Sequence, residues 1–534
     1  MKREAISRKG MVVSAHPLAT KAGCDILKAG GNAVDAAIAT SLALGVVAPA
    51  WSGIGGGGFM LVHQASSGNT VALDYREVAP RDAKPDMFQT DEHGNVTDSA
   101  NSIGYLAIAV PGQLRGYATA LEQYGTMSFK QLAKAAIRYA SEGYPISKTI
   151  GKIFRENRDN ATDKIRRFKP LGDVFAPKGT VPKAGQKVVM SQLAASLKRL
   201  SEDVNEISYA GSMAEAISRH VKEGHGLLAV EDMEHYEVKV RDTIHGNYRG
   251  YDIVAMPPPS SGGITIIETL NMLEGFDLSS MNQNGTSAVH IISECLRLAF
   301  SDRGKYIGDP SFVCVPVKEL IDKDFAKECR YSVSLDKTIG TVKPGALRSH
   351  EGGSTTHLTV IDKNSNVVAA TESIECYFGS GVMDPETGII LNDEMHDFDT
   401  LPGRTNSVKP GKRPLSSMAP TILFKDGRPV LALGSAAGPR IITATLQVLL
   451  NVIDFNMSLP KSVAAPRFHC EESTVFLEGG ISAATETGLA RLGHPVERKP
   501  VLDLFFGGVQ AMHVGARGII GMADPRRDGI AMGV

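Results

Sequence analysis

The stretch GGSTTHLTVIDKNSNVVAATES, residues 352–373, decides how the fold of this chain is interpreted. Its two apolar runs, HLTVID and NVVAATES, are separated by turn-forming residues and predict two short strands. Three consecutive hydroxyl side chains, Ser354, Thr355 and Thr356, stand where the first strand begins. From these residues alone, two interpretations stay open: ordinary turn chemistry at a strand start, or a nucleophile masked within the chain.

Thr355 would change its chemistry if the peptide bond between Ser354 and Thr355 were cut. As an internal residue its hydroxyl is a weak nucleophile. After cleavage it would carry a free α-amine with a pKa of about 7.7–8.0, which can accept the hydroxyl proton near neutral pH. The spacing does not by itself distinguish this chemistry from a turn.

The composition describes a globular protein with a large apolar core. The chain has 534 residues, of which 43% are hydrophobic and 22% charged, and its formal net charge is -1. This balance argues against a nucleic-acid-binding surface. Residues 1–20 lack the apolar core of a signal peptide, and the apolar stretch 36–51 is too short to span a bilayer. We therefore expect a cytoplasmic protein that does not enter a membrane.

Cofactor and metal motifs give weak signals. The six cysteines form no CxxC pair and indicate free thiols. A G-x-G-x-x-G pattern at 53–58 follows a helical pattern and precedes a strand, the reverse of a dinucleotide site, so it indicates close backbone approach instead. His357 and His396 are isolated and are interpreted as structural. The candidate nucleophiles are therefore hydroxyls, and no metal or organic cofactor is implied.

Periodicity divides the chain into a helix-rich part and a strand-rich part. Helical patterns cover 17–29, 33–47 with Asn32 as a cap, most of 112–225, 264–275 and 286–304. The residues VHQASSGNTVALDY predict a hairpin, and the prolines of MPPPSSGG exclude regular structure. After residue 355 the short apolar runs are HLTVID, NVVAATES, GIILN, APTILF, PVLALGS and VFLEGG, with helices near 440–454 and 482–492. We expect both parts to share one layered core.

Ten motifs in order along the chain carry a resemblance to a known family. They are HPLAT (16–20), GGNAVDAA (30–37), GGGGFML (55–61), DYREVAP (74–80), MPPPSSGG (256–263), STTHLTV (354–360), FGSGV (378–382), LNDEMHDF (391–398), KRPLSSMAPT (412–421) and GSAAGPRIIT (434–443). With them the chain resembles the γ-glutamyltransferases, members of the N-terminal-nucleophile hydrolases. The likeness extends over essentially the whole chain.

The resemblance implies an α+β fold, a four-layer αββα sandwich made as one precursor. Such precursors cleave themselves before the threonine of the TTH motif, between Ser354 and Thr355 here. The products would be a large, helix-rich chain of residues 1–354 and a small, strand-rich chain of residues 355–534. Thr355 would then be the nucleophile of both the cleavage and the catalysis.

The resemblance also implies how a γ-glutamyl substrate is held. In the family an arginine and two serines bind the α-carboxylate, and they match Arg76, Ser416 and Ser417. Acidic and polar residues bind the α-amino group, and they match Glu394 and Asp397. From the residues alone, Arg76 could instead form a structural ion pair and Asp397 could be a cap.

The remaining implied roles concern the reaction itself. The family's second hydroxyl near the nucleophile matches Ser373, which keeps the hydrogen-bonding group. The oxyanion hole, made of backbone N–H groups, matches Ala437 and Gly438. Alanine tolerates unusual backbone angles less well than glycine, and the following Pro439 has no N–H.

Two further departures from the family pattern affect substrate recognition. Glu375 stands where the family has an asparagine, which would gather three carboxylates around one ammonium, unless Glu375 turns away to pair with an arginine or lysine. The segment between Asp397 and Ser416 is short and lacks the family's pocket-closing aromatic. It predicts an open cleft in which hydrolysis dominates over transfer.

Three functions follow as hypotheses. The first is hydrolysis or transfer of glutathione-like γ-glutamyl amides through a Thr355 ester. The second keeps the chemistry for another small acyl-amide substrate, as in glutaryl or cephalosporin acylases and poly-γ-glutamate processing enzymes. The third is an unprocessed, non-catalytic binding protein. The sequence leaves open whether the protein forms a homo-oligomer.

Overall fold

Helices and strands from both parts of the chain are interleaved in the structure. The computed structural model describes residues 3–92, 95–203, 211–340, 342 and 354–534. Its helices are α1 Pro17–Lys28, α2 Ala33–Val47, α3 Gln113–Tyr124, α4 Phe129–Glu142, α5 Lys148–Glu156, α6 Ala161–Arg167, α7 Lys169–Phe175, α8 Ser191–Leu200, α9 Ser212–Glu223, α10 Val230–Glu234, α11 Gly262–Leu273, α12 Thr286–Tyr306, α13 Val317–Leu320, α14 Lys323–Arg330, α15 Arg440–Ile453, α16 Leu459–Ala464 and α17 Ala483–Arg491.

The strands alternate with these helices along the whole chain. They are β1 Glu4–Ser7, β2 Met11–Ser14, β3 Gly57–Gln64, β4 Asn69–Tyr75, β5 Tyr144–Pro145, β6 Lys187–Val188, β7 Lys239–Asp242, β8 Ile244–Tyr248, β9 Tyr251–Ala255, β10 Thr356–Ile361, β11 Val367–Ser373, β12 Thr421–Lys425, β13 Arg428–Gly434, β14 Phe468–His469, β15 Val475–Glu478, β16 Val496–Lys499, β17 Gln510–Gly515, β18 Gly518–Ala523 and β19 Ile530–Gly533. Short 3-10 turns lie at Thr97–Ser99, Tyr105–Ala107, Arg158–Asn160, Leu278–Ser280, Glu394–Asp397 and Leu504–Phe506.

Two seven-stranded sheets form the centre of the fold. Their strand orders are β1-β18-β17-β13-β12-β9-β8 and β19-β2-β10-β11-β3-β4-β7. Neighbouring strands in both sheets run antiparallel. A smaller sheet joins β14, β15 and β16, and β5 pairs with β6.

The alternation of side chains along β10 shows how the layers are stacked. Leu358 and Val360 pack into the core shared with α1–α4, whereas Ile361 packs into the core that includes the other sheet. Strands β10 and β11 contact β13 across the two sheets, α2 covers β10 and β11, and α11 covers β8 and β9. The predicted four-layer αββα sandwich is therefore confirmed.

Helix α2 illustrates a local prediction that the structure confirms. Asn32 accepts hydrogen bonds from the amides of Val34 and Asp35, and the Asp35 carboxylate accepts from the Asn32 amide at 2.8 Å. Such a cap contributes about 1 kcal/mol. Nearly every side chain of α2 is buried, because the helix lies between the sheet and helices α1 and α4.

The glycine run at 55–58 allows close packing, as its reversed context predicts. A Cβ on Gly56 would lie 2.1 Å from the carbonyl oxygen of Ser373, and a Cβ on Gly55 would lie 2.2 Å from that of Ile390. No larger residue fits these two positions without a shift of backbone. The run therefore holds the end of β11 close to the segment around Ile390.

The run GIILN does not form a regular strand, contrary to its apolar pattern. Ile390 makes one isolated bridge with Met383, and the Asn392 amide donates to the carbonyl oxygen of Gly55. Its backbone groups are satisfied by loops, so burial alone produced the strand-like pattern. Among the described residues, no helix has both the length and the apolar composition to cross a membrane.

Candidate active site

Thr355 and Ser373 meet at the ends of two paired strands. In the antiparallel pairing of β10 with β11, Thr356 lies opposite Glu372. Thr355, one residue before β10, therefore comes beside Ser373, the last residue of β11, and their hydroxyl oxygens are 3.2 Å apart. The structure thus brings together the two hydroxyls that the sequence singled out.

The peptide bond between Ser354 and Thr355 is held on both sides. The Ser354 amide donates to the carbonyl oxygen of Glu375 at 2.8 Å, and Arg527 Nη1 donates to the carbonyl oxygen of Thr355 at 2.6 Å. Ser373 Oγ also accepts from the Glu375 amide at 2.9 Å. Because both neighbouring groups are fixed, the Thr355 side chain has a defined position relative to the bond before it.

A cavity of about 300 Å³ opens beside Thr355. The expected site residues that line it are Arg76, Thr355, Ser373, Glu375, Asp397, Ser416, Ser417 and Gly438. Glu394 reaches this wall through its contact with Arg76. Residues 95–102, which the sequence did not single out, contribute Asn95, Val96, Ser99, Asn101 and Ser102 to the lining.

Arg76 follows β4 and is fully buried among carboxylates and carbonyl groups. Its Nη1 lies 2.6 Å from Glu394 Oε2, and its Nη2 pairs with Asp397. The same guanidinium donates to the carbonyl oxygens of Pro414 and Leu415, at 3.4 and 3.1 Å. The structural ion pair considered from the sequence is present. It also places a cation and two carboxylates at one wall of the cavity.

Several carboxyl groups at this wall hold their protons unusually strongly. Burial raises the pKa of Glu375 well above its usual range, and the nearby Asp397 raises it further. Burial likewise raises the pKa of Glu394, against the opposing effect of Arg76. Burial raises the pKa of Glu77, which also lies near Arg76, to about 8. Burial and mutual repulsion therefore favour the protonated form of these carboxyl groups, against the opposing effect of Arg76.

Glu375 faces the cavity, so the alternative in which it turns away to an arginine or lysine is wrong for this structure. Its Oε1 lies 4.0 Å from His396 Nδ1, and both side chains line the cavity. His357, in contrast, is enclosed between the sheets, where its ring contacts the hydroxyls of Thr371 and Thr359 at 2.8 and 3.2 Å. Burial lowers the pKa of His357 to about 3, which agrees with a structural role.

Arg303 is a site residue that the sequence reasoning missed. From helix α12 its Nη2 donates to Ser417 Oγ at 2.9 Å, and its Nε donates to Ser261 Oγ at 2.7 Å. Ser261 belongs to the MPPPSSGG segment, and its amide and hydroxyl both donate to the carbonyl oxygen of Ser416. The available signal was an arginine on the apolar face of a helical pattern, one turn after Phe300.

Ala437 and Gly438 lie just before helix α15, at the N-terminal end, which is the positive end of the helix dipole. Ala437 has φ +93° and Gly438 has φ +53°, so both occupy the left-handed region that favours glycine. Gly438 lines the cavity beside Thr355, whereas Ala437 lines a neighbouring cavity with Tyr377 and Arg440. The two candidate oxyanion donors therefore stand between two cavities.

The short segment after Asp397 forms part of the cavity wall. Phe398, Leu401 and Arg404 line the cavity from this segment, and Leu415 does so at its end. The open cleft predicted from its length stays a prediction.

Comparisons with known proteins agree along the whole chain. A family model described as gamma-glutamyltranspeptidase matches residues 19–534. A glutathione hydrolase proenzyme of Bacillus subtilis is 38% identical over 553 residues, covering 100% of this chain and 93% of that protein. An acylase ACY 1 proenzyme of Pseudomonas sp. strain V22 is 38% identical over 539 residues, covering 100% of this chain and 95% of that protein. The crystal structure of a cephalosporin acylase from Bacillus halodurans has a TM-score of 0.89 and 30% identity, with 100% and 97% of the two chains covered.

The αββα sandwich and its relatives define an enzyme of the N-terminal-nucleophile hydrolase class. Within that class, the chain belongs to the γ-glutamyltranspeptidase family. Both relatives compared by sequence are named as proenzymes.

Proposed function

We propose that the protein is a self-processing hydrolase and transferase of γ-glutamyl amides with Thr355 as its nucleophile. The observation that carries the proposal is the Thr355 hydroxyl, 3.2 Å from Ser373 Oγ and at the wall of a cavity of about 300 Å³. Arg76, Asp397 and Ser417 line the same cavity, which supports the recognition of an amino-acid head group there.

Cleavage of the precursor is the first step of the proposal. Thr355 Oγ1 attacks the carbonyl carbon of Ser354, the C–N bond breaks, and the nitrogen takes a proton. Water then hydrolyses the resulting ester, leaving a carboxylate on Ser354 and a free α-amine on Thr355. The large and small chains produced, residues 1–354 and 355–534, remain together as one enzyme.

Turnover uses the same hydroxyl on an external amide. The α-amine of Thr355 accepts the hydroxyl proton as Oγ1 attacks the γ-carbonyl carbon. The N–H groups of Ala437 and Gly438 stabilise the oxyanion, at about 3–4 kcal/mol for each donor. The amide nitrogen leaves with a proton, and water or an amine resolves the γ-glutamyl ester. An open cleft after Asp397 admits water, which favours hydrolysis.

The test compares wild-type protein with Thr355→Ala by intact mass and by hydrolysis of γ-glutamyl-p-nitroanilide. We expect wild type to yield a fragment that begins at Thr355, and the variant to stay uncleaved with activity reduced about a thousandfold or more. Thr355→Ser should keep both reactions at lower rates. Thr356→Ala is the matched control, because it removes the neighbouring hydroxyl and should leave cleavage intact. The proposal would be overturned if the Thr355→Ala protein hydrolysed the anilide as fast as wild type.

A second candidate function is the hydrolysis of glutaryl amides, which resemble γ-glutamyl amides without the amino group. The similarity to a cephalosporin acylase along 100% of the chain favours it. Turnover of glutaryl- and γ-glutamyl-p-nitroanilide in competition distinguishes the two. Strict dependence on the α-amino group would exclude the acylase.

A further inference from the structure

Three side chains with different metal-binding groups meet beside the cavity, and two of them, Glu375 and His396, line it. Glu375 and Cys376 follow β11, and His396 lies in the 3-10 turn Glu394–Asp397. The Cys376 Sγ lies 3.9 Å from His396 Nδ1, which lies 4.0 Å from Glu375 Oε1. All three ligand atoms lie within 4.8 Å of one another, and all three residues are buried.

These distances are close to those of a zinc site. Zinc binds cysteine sulfur at about 2.3 Å and histidine nitrogen or carboxylate oxygen at about 2.0–2.2 Å, so tetrahedral ligands are roughly 3.4–3.6 Å apart. Two of the three separations exceed that range by about half an ångström or less, and the third is within 4.8 Å. Binding therefore requires the three side chains to move closer together around the ion.

Two other clusters of possible ligands lie in the described part of the chain, and both are linked by close contacts with one another or with an arginine. In the cluster of His290, Glu294 and His494, the two histidine nitrogens are 2.6 Å apart and share a hydrogen bond, while Arg297 holds the carboxylate. In the cluster that combines Glu375 with Glu394 and Asp397, Arg76 is paired with both of the latter carboxylates.

We propose that Glu375, Cys376 and His396 form a binding site for Zn²⁺ or a similar thiophilic divalent cation. Glu375 and His396 line the cavity, so the fourth position of a tetrahedral ion faces the space beside Thr355. Thiolate and imidazole ligands select transition metals over Mg²⁺ and Ca²⁺. In the proposed function this space receives the donor's amino group, so the bound cation competes with the donor.

The charges around the three ligands favour a cation. Burial raises the pKa of both Glu375 and Cys376 well above the usual ranges, and Asp393 raises both further. Asp397 also raises the pKa of Glu375, whereas Arg76 lowers it. Lys164 lowers the pKa of Cys376. Metal binding displaces the protons of the thiol and the carboxyl group and places a divalent charge among these carboxylates.

The binding test uses the full-length protein, as purified, with exposed Cys314 replaced by serine to remove an unrelated thiol. Co²⁺ is the probe, because a cysteine thiolate bound to cobalt gives a charge-transfer absorption band. We expect one equivalent of Co²⁺ to produce the band, Zn²⁺ to displace it, and Mg²⁺ to have no effect. Adding Cys376→Ser should abolish the band, and adding His396→Gln should weaken cobalt binding about tenfold or more.

Folding is monitored by circular dichroism, so that a loss of the band is interpreted only for a folded variant. If Cys376→Ser does not fold, the cobalt affinity of His396→Gln is the test, because this variant retains the thiol. No band in the Cys314→Ser protein would overturn the proposal. A band that persists in folded Cys376→Ser, or an unchanged cobalt affinity in His396→Gln, would do the same.

The activity test rests on the proposed function and is separate from the binding test. Zn²⁺ should raise the KM for γ-glutamyl-p-nitroanilide without changing kcat, and Cys376→Ser should lose this inhibition while keeping its zinc-free activity. If Zn²⁺ binds but does not compete with the donor, the ion does not occupy the space that receives the donor's amino group, and that placement is overturned. A lack of activity in zinc-free protein would count against the proposed function instead.

Discussion

Ala437 is the residue at which the chain departs most clearly from its own backbone preference. Its φ of +93° puts a Cβ in a region that costs a non-glycine residue about 1–2 kcal/mol. Ala437 and Gly438 form the turn that leads into α15, and both have a positive φ. This local strain was foreseen from the sequence, as alanine replaces one glycine of the family pattern.

Ala437→Gly should therefore stabilise the protein. The expected gain in the free energy of unfolding is up to about 1 kcal/mol, since relief of strain outweighs the added freedom of the unfolded chain. Ala436→Gly is the matched control, because Ala436 is equally buried without a left-handed φ, and it should lose about 0.5–1 kcal/mol. Urea unfolding of both variants measures the difference. A loss of stability in Ala437→Gly equal to that in Ala436→Gly contradicts the strain argument.

Glu375 gives the donor site a dependence on pH. Burial and nearby carboxylates raise its pKa, so it ionises at a higher pH than an ordinary glutamate does. The ionised form attracts the donor's ammonium group. The KM for γ-glutamyl-p-nitroanilide should consequently fall as the pH rises through the raised pKa of Glu375, by up to tenfold per pH unit.

Glu375→Asn removes the titrating group and keeps a hydrogen-bond acceptor, so its KM should change little over the same pH range. Steady-state kinetics with a glutaryl anilide provide a control, because that donor has no ammonium group to attract. The same slope of KM with pH in wild type and Glu375→Asn would exclude Glu375 as its source.

At the scale of a secondary-structure element, helix α12 supplies the site with a positive charge. Its residue Arg303 donates to Ser417 Oγ and lies 3.9 Å from Glu471. Burial lowers the pKa of Arg303, whereas the nearby Glu471 and Asp397 act in the other direction and raise it. In the proposed function, this guanidinium would orient the Ser417 hydroxyl toward the substrate carboxylate and add positive charge behind it.

Arg303→Gln should raise the donor KM about tenfold or more with a smaller change in kcat, because a hydrogen bond to a charged group contributes about 1.5–3 kcal/mol. Arg303→Lys should recover part of the loss. Measurement of both variants with γ-aminobutyryl-p-nitroanilide, which lacks the α-carboxylate, is the control and should show little effect. Equal losses with both donors would mean that Arg303 only supports the fold.

Elements whose pattern is local were predictable from the sequence, and contacts between distant elements were not. The hairpin around residues 356–373 and the capped helix at 33–47 follow from periodicity and a cap. The contact of Arg303 with Ser417 joins residues 114 positions apart, and no local pattern encodes it. GIILN was misread because its apolar pattern reflects burial: Ile390 makes one isolated bridge with Met383, and the Asn392 amide donates to the carbonyl oxygen of Gly55. The grouping of Thr355 with Arg76 and Asp397 was predictable only through the resemblance to a family.

At the scale of the whole molecule, the proposed cleavage would divide the chain without dividing the fold. In one sheet, β10 and β11 from the small chain lie between β2 and β3 from the large chain. In the other, β12 from the small chain pairs with β9 from the large chain, and β1 from the large chain pairs with β18 at the edge. Each sheet therefore loses interior strands if either chain is removed, which exposes unpaired backbone groups and apolar faces.

The two chains of the cleaved protein should accordingly unfold together in one transition. Trp51, the single tryptophan, belongs to the large chain and lies under the guanidinium of Arg527 from the small chain, 4.5 Å from the ring. Its fluorescence therefore reports on contact between the chains, while circular dichroism reports on both. Urea curves from the two probes should coincide, and the chains should co-elute in gel filtration without denaturant.

Refolding of cleaved protein is bimolecular, so its yield should fall on dilution, whereas uncleaved Thr355→Ala should refold independently of concentration. Two separate transitions, or chains that part under native conditions, would show that residues 1–354 and 355–534 are independent domains.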